Sequence, residues 1–122
     1  MLFRSLPLEG IRVLDFGTLL PGPLATLMLA DAGASVVKVE AAGGDGARAH
    51  TPFDGGESLH FALLNRGKKS VVLDLKSPEG KAAALKLATE ADVLLDQFRP
   101  GVMQRLGLDY ADRKSTRLNS SH

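Results

Sequence analysis

The 122 residues carry 15 Lys and Arg against 14 Asp and Glu, a formal net charge of +1, with 44% hydrophobic residues and no cysteine. A chain of this size buries one modest core, so a single domain or part of a larger one is expected, and its near-neutral balance argues against a nucleic-acid groove or an acidic tail. The absence of cysteine excludes disulfide frameworks, thiolate zinc sites and a cysteine nucleophile. The opening residues Met1 to Leu8 contain one Arg and no apolar run long enough for a signal h-region or a membrane span. The expectation is a cytoplasmic protein with neither nucleic acid nor membrane as partner.

Ile11 to Phe16 is short, rich in β-formers and followed by Gly17, which predicts a first strand running into a turn. Pro21, Gly22 and Pro23 punctuate the chain, and the apolar stretch Leu24 to Ala32 predicts a short, largely buried helix that Pro23 opens and Gly33 closes. Ser35 to Glu40, with Val36, Val37 and Val39, has the length and composition of a second strand. Ala41 to Gly56 holds five glycines and few apolar anchors, and is expected to be a mobile surface loop. A short helix follows over Ser58 to Asn65, with Leu59, Ala62 and Leu63 on one side, and Arg66, Gly67, Lys68 and Lys69 end it. Ser70 to Asp74 predicts a third strand.

Ser77, Pro78 and Glu79 form a helix start: a hydroxyl cap, a proline in the first turn and an acid where the helix dipole favours one. The helix runs to about Glu90, with Ala84, Leu87, Ala88 and Ala91 at helical spacing. Val93, Leu94 and Leu95 then read as a buried fourth strand, Pro100 and Gly101 break the chain, and Val102 to Leu106 makes a short helix. The alternation predicts an α/β fold, a partial parallel sheet of about four strands with right-handed crossovers and helices on both faces. Ser115 to His122 is polar and lacks periodicity, so it is not expected to extend the core.

An acid ending the second strand, Glu40, invites a dinucleotide-binding reading, but Gly17 to Pro23 is not G-x-G-x-x-G and its prolines cannot bring amides around a pyrophosphate. Glu40 is then expected to be a solvated strand end. Asp15 is a tempting nucleophile position, yet strand-end acids more often cap a turn or the next helix. Arg66, Lys68, Lys69, Lys76, Arg99 and Arg105 could meet phosphates, although composition alone favours a solvated face. His50, His60 and His122 have no spacing that builds a metal site.

Four ordered blocks carry a resemblance: P-L-E-G-I-R-V-L-D-F, L-P-G-P-L-A-T-L-M-L-A-D-A-G-A-S-V-V-K-V-E, L-N-R-G-K-K-S-V-V-L-D-L-K-S-P-E-G and D-V-L-L-D-Q-F-R-P-G-V-M-Q-R-L-G-L. Over Pro7 to about Tyr110 the chain resembles the start of the family III CoA-transferases, which include the α-methylacyl-CoA racemases. The resemblance implies that residues 1–111 are the N-terminal part of a Rossmann-like large domain, and that 112–122, matching nothing, is a disordered or foreign tail. It implies a CoA surface on Leu20, Leu73, Asp74, Leu75, Lys76, Gln97, Phe98, Arg99 and Arg105, with Lys76 and Arg105 toward phosphates and Phe98 and the leucines toward adenine and pantetheine. Ala41 stands where many members have arginine, so one phosphate contact is either missing or supplied by Arg48.

The resemblance further implies acyl-CoA and a carboxylic acid as substrates, no permanently bound cofactor or metal, and an interlocked homodimer. The transferases use a covalent aspartate and the racemases a histidine with a carboxylate. Both sets lie beyond this chain in the family pattern, so no catalytic residue is assigned here. The expectation is a fragment of an acyl-CoA:carboxylate CoA-transferase, with two alternatives: a racemase fragment, or an incomplete chain with weak CoA binding and no activity.

Overall fold

The computed structural model describes residues 5–108. The tail expected over 112–122 lies outside them. Strands β1 (Arg12–Asp15), β2 (Ser35–Glu40), β5 (Lys69–Val72) and β6 (Val93–Leu95) form a parallel sheet in the order β5-β2-β1-β6. Helix α1 (Pro21–Asp31) connects β1 to β2, and α3 (Pro78–Glu90) crosses from β5 to β6. The segment between β2 and β5 contains a 3-10 turn (Gly46–Ala49), a two-stranded hairpin of β3 (Phe53–Asp54) and β4 (Glu57–Ser58), and α2 (Leu59–Asn65). After β6 comes α4 (Val102–Arg105).

Two apolar layers flank the sheet, because side chains alternate along each strand. Leu14, Phe16, Val37, Val39 and Val71 pack against Ala84 and Ala88 of α3 and Met103 and Leu106 around α4. Val13 and Val36 face the other way, toward Leu29 and Ala30 of α1. The helices therefore lie on both faces, as the alternation predicts. No helix among the described residues is long and apolar enough to cross a membrane.

Three local expectations need correction. Helix α1 starts at Pro21 rather than Pro23. Pro21, Gly22 and Pro23 all fit in its first turn, where the amides have no intrahelical partner and a missing N–H costs nothing. On α2 the side carrying Leu59 and Leu63 is the exposed one, and Phe61 and Leu64 turn inward. Ala41 to Gly56 is not a featureless loop: Asp45 and Ala47 are buried, and the Asp45 carboxylate accepts from the Ala47 amide to start the 3-10 turn.

Helix α3 begins as its sequence predicts, with Ser77 Oγ accepting from the Gly80 amide at 3.0 Å. A Cβ on Gly80 would fall 1.8 Å from the Asp74 carbonyl oxygen. Gly to Ala inside a helix ordinarily stabilises by about 1 kcal/mol. Here Gly80→Ala should instead destabilise, by on the order of 1–3 kcal/mol, because backbone must move away. Urea unfolding midpoints check the sign; a midpoint at or above that of the parent chain would refute the close approach.

Candidate functional site

The same strand alternation that builds the core puts Asp15, Lys38 and Glu40 on the α1 face of the sheet, toward its carboxyl end. They are 0%, 1% and 2% exposed. Buried ions persist when paired and hydrogen-bonded. Lys38 Nζ lies 2.8 Å from Asp45 Oδ2 and donates to the Gly17 carbonyl at 2.8 Å. Asp15 accepts from the Gly17 amide at 2.6 Å and from Thr26 Oγ1 at 2.5 Å, and it lies 3.4 Å from Lys68 Nζ. Lys68 also donates to the Pro23 carbonyl and to Asn65 Oδ1, each at 2.9 Å.

Glu40 receives Arg48 as a fork, Nε to Oε1 at 2.8 Å and Nη2 to Oε2 at 2.7 Å, and accepts from the Asp45 amide at 2.7 Å and from the Ser70 hydroxyl. The guanidinium stacks 3.8 Å from the Phe61 ring centroid. Glu40 is thus no solvated strand end, and Arg48 is largely committed to it rather than free for a phosphate. Nor does Lys68 belong to a solvated face, although Arg66 beside it does, in an exposed pair with Asp31. Asp15 caps the following turn and bonds the next helix, as strand-end acids do.

Arg48, foremost, together with Ser70 and the Asp45 amide outweighs burial and holds the Glu40 carboxyl down at about 2. Burial is the largest influence on Asp45 and would raise it, but the Ala47 amide, Lys38 and the Leu19 amide together keep it below its ordinary value. Burial dominates at Lys68 and lowers it, only partly opposed by Asp15.

This ionic layer positions the loops at the sheet's carboxyl edge. Leu19, at a left-handed φ of 62°, donates its amide to both Asp45 carboxylate oxygens at 3.2 and 3.4 Å. A non-glycine residue holds such a backbone only where its surroundings impose it. Leu20, at the start of α1, is exposed. From across the sheet, Gln97 Oε1 accepts from the Thr18 amide at 2.8 Å and the Gly22 amide at 3.1 Å. In a dinucleotide fold amides of this turn and helix start meet a pyrophosphate; here a side chain of the protein itself takes the Thr18 and Gly22 amides.

On the opposite face of the same edge lies a mainly apolar cleft of about 200 Å³, walled by Phe16, Thr18, Val39, Ala41, Ala42, Leu73, Asp74, Leu75, Lys76 and Phe98. The Leu73 amide donates to the Glu40 carbonyl at 2.9 Å, continuing the ladder between β2 and β5. The Asp74 carboxylate then accepts from the Lys76 amide at 3.0 Å and turns the chain toward α3. Phe98 closes the far side, its ring centroid 5.9 Å from that of Phe16. The structure therefore brings Leu73, Asp74, Leu75, Lys76 and Phe98 together. Leu20, Gln97, Arg99 and Arg105 stand outside the cleft wall; Arg99 and Arg105 are exposed. Among the described residues no group of three or more His, Asp or Glu is placed to hold a metal ion.

Sequence reasoning missed Lys38, Thr26 and Asp45 as partners of this edge. The available signal was parity: Asp15 shares its strand face with Val13, and Lys38 and Glu40 share theirs with Val36, so all three had to point under α1.

A parallel α/β sheet with a cleft beyond the carboxyl ends of its strands is the arrangement of open-sheet ligand-binding proteins. The family model described as CoA-transferase family III matches residues 8–117, and the chain belongs to that family. It is 45% identical over 107 residues to the acetyl-CoA:oxalate CoA-transferase of Acetobacter aceti, covering 87% of this chain and 28% of that protein. It is 43% identical over 108 residues to the human succinyl-CoA:glutarate CoA-transferase, covering 87% of this chain and 25% of the relative. The crystal structure of Rv3272 from Mycobacterium tuberculosis superposes with a TM-score of 0.83 at 48% identity, over 94% of this chain and 30% of that one. The chain thus spans between a quarter and a third of the length of these relatives.

Glu40 titrates at about 2 in the folded chain against an ordinary 4.5. Its stabilising contribution is therefore complete above pH 4.5 and is lost as pH falls from there toward 2. The contribution at neutral pH is at most about 3 kcal/mol, and less because Arg48 is 42% exposed. Glu40→Gln should flatten the acid limb of the stability curve in that window. Urea midpoints followed from neutral pH downward test this, and an acid limb parallel to that of the parent chain would contradict it.

Proposed function

We propose that this chain supplies part of the coenzyme A surface of an acyl-CoA:carboxylate CoA-transferase, whose substrates are an acyl-CoA and a carboxylic acid and which keeps no permanently bound cofactor. The observation that carries the reading is the cleft joining Leu73, Asp74, Leu75 and Lys76 to Phe98 at the carboxyl ends of β1, β2 and β5. Its volume of about 200 Å³ lies below the roughly 300–1,000 Å³ of a pocket for a whole drug-sized ligand. It suits one flat or apolar moiety of CoA, with Lys76 on its rim for a phosphate and Arg99 and Arg105 exposed beyond it. Leu20 stands on the second edge of this surface, beside the turn to which Gln97 is bonded.

The names of the matched relatives, transferases for oxalate and glutarate, favour the transferase branch over the racemase branch. The complete enzyme is read as an interlocked cytoplasmic homodimer. None of the residues described here is assigned the covalent role, so the isolated chain is expected neither to move CoA between acids nor to exchange an acyl-CoA α-proton.

Calorimetric titration with CoA at two salt concentrations tests the surface. Weak, salt-sensitive binding is expected, and Lys76→Ala or Arg105→Ala should each cost on the order of 1–3 kcal/mol if the cation makes a charge-assisted phosphate bond. An unchanged dissociation constant in both variants would mean that these cations belong to a solvated face.

A further inference from the structure

We infer that Gln97 is a positioning residue: its side-chain oxygen clamps the β1–α1 turn to the loop after β6 and so sets the spacing of the cleft's two edges. The inference rests on reading the cleft as the CoA surface. In the order β5-β2-β1-β6, the chain winds outward from β1 through β2 to β5 and then crosses to β6 on the other side of β1. Such a switch point opens a crevice beyond the strand ends, where the two connections part company. Gln97 sits in that crevice. Its Oε1 accepts from two amides of the opposite turn, Thr18 at 2.8 Å and Gly22 at 3.1 Å.

The turn is shaped around that oxygen. A Cβ on Gly22 would lie 2.2 Å from Gln97 Oε1, and one on Gly17 would lie 2.7 Å from it. Each of those Cβ atoms would also come within 2.9 Å of the other glycine's Cα. The two glycines therefore leave room both for their own backbone contact and for the seated amide. Pro21 and Pro23 offer no N–H at the helix start, so the carbonyl of Gln97 does the capping that Leu20, which makes no side-chain cap, does not.

Gln97 does not line the cleft; it acts through its neighbours. Thr18, one of its donors, and Phe98, the next residue in the chain, both stand on the cleft wall. Losing the clamp frees two edges that otherwise move together.

The experiment combines amide hydrogen exchange with CoA titration on the 122-residue chain and on Gln97→Ala and Gln97→Glu. In Gln97→Ala, exchange at Thr18 and Gly22 should accelerate by about ten-fold while amides within β1 and β2 keep their protection, and CoA affinity should fall by about ten-fold, the scale of one or two lost neutral hydrogen bonds. Gln97→Glu keeps an acceptor oxygen at the same reach and should restore protection at Thr18 and Gly22. If Gln97→Ala does not fold, Gln97→Asn withdraws the oxygen by one methylene and replaces it in the comparison. Unchanged exchange at Thr18 and Gly22 overturns the clamp. Faster exchange with unaltered CoA affinity overturns the positioning role and leaves the cleft reading intact. A parent chain that binds no CoA defeats the cleft reading, and the positioning role falls with it, while the exchange data still report the clamp.

Discussion

An ion taken out of water must meet its countercharge inside the fold or lose its charge, and this chain buries Asp15, Lys38, Glu40 and Asp45 side by side. The penalty for an unpaired member is several kcal/mol. Three carboxylates, Asp15, Glu40 and Asp45, are therefore matched by three cations, Lys38, Arg48 and Lys68, each pair joined between different segments of the chain. Among the described residues no buried side-chain nitrogen or oxygen is left without a partner. Such a layer does not need to add stability over an apolar replacement. It does tie segments together: the glycine-rich segment after β2 closes with Asp45 on Lys38, and Lys68, just after α2, meets Asp15.

The position of the layer links it to the candidate site. It lies under the carboxyl end of β1 and β2 on one face, and the cleft opens at the same end on the other. Asp45 fixes Leu19 in a left-handed backbone, Lys38 holds the Gly17 carbonyl, and Asp15 holds the Gly17 amide. The turn that carries Thr18 to the cleft wall is thereby held on one side by buried charge and on the other by Gln97. On the CoA reading proposed above, edges ordered before the ligand arrives spare it an ordering cost that would otherwise be subtracted from affinity.

Much of this architecture is readable in the residues. Capping chemistry at Ser77 and Pro78 fixed the start of α3, and the runs around Val13, Val36, Val71 and Leu94 gave the parallel strands, because short β-branched stretches between punctuated helices have few other solutions. The cleft residues Leu73 to Lys76 and Phe98 were reached through family resemblance, not spacing, because loops that meet only after folding leave no periodic trace. The errors share a cause. Glu40 and Lys68 were read as solvated because ionisable residues usually are, and Ala41 to Gly56 as mobile because glycine-rich segments usually are. In each case a long-range partner, Arg48, Asp15 or Lys38, overrode the local expectation. Gln97 carries no such local signal either, and the bonds of its side-chain carbonyl to the Thr18 and Gly22 amides emerge only in the fold.

The dependence of the fold on its buried charges is most directly measured by a double-mutant cycle on Lys38 and Asp45, using Lys38→Met, Asp45→Leu and the pair, each followed by urea unfolding. Removing one partner leaves the other buried and unpaired, so each single change should cost on the order of 3–5 kcal/mol. The double variant should recover a substantial part of that loss, giving a coupling of more than about 1 kcal/mol. Single variants that unfold within a few tenths of a kcal/mol of the parent chain, or losses that simply add in the double variant, would contradict a fold organised around this ion pair.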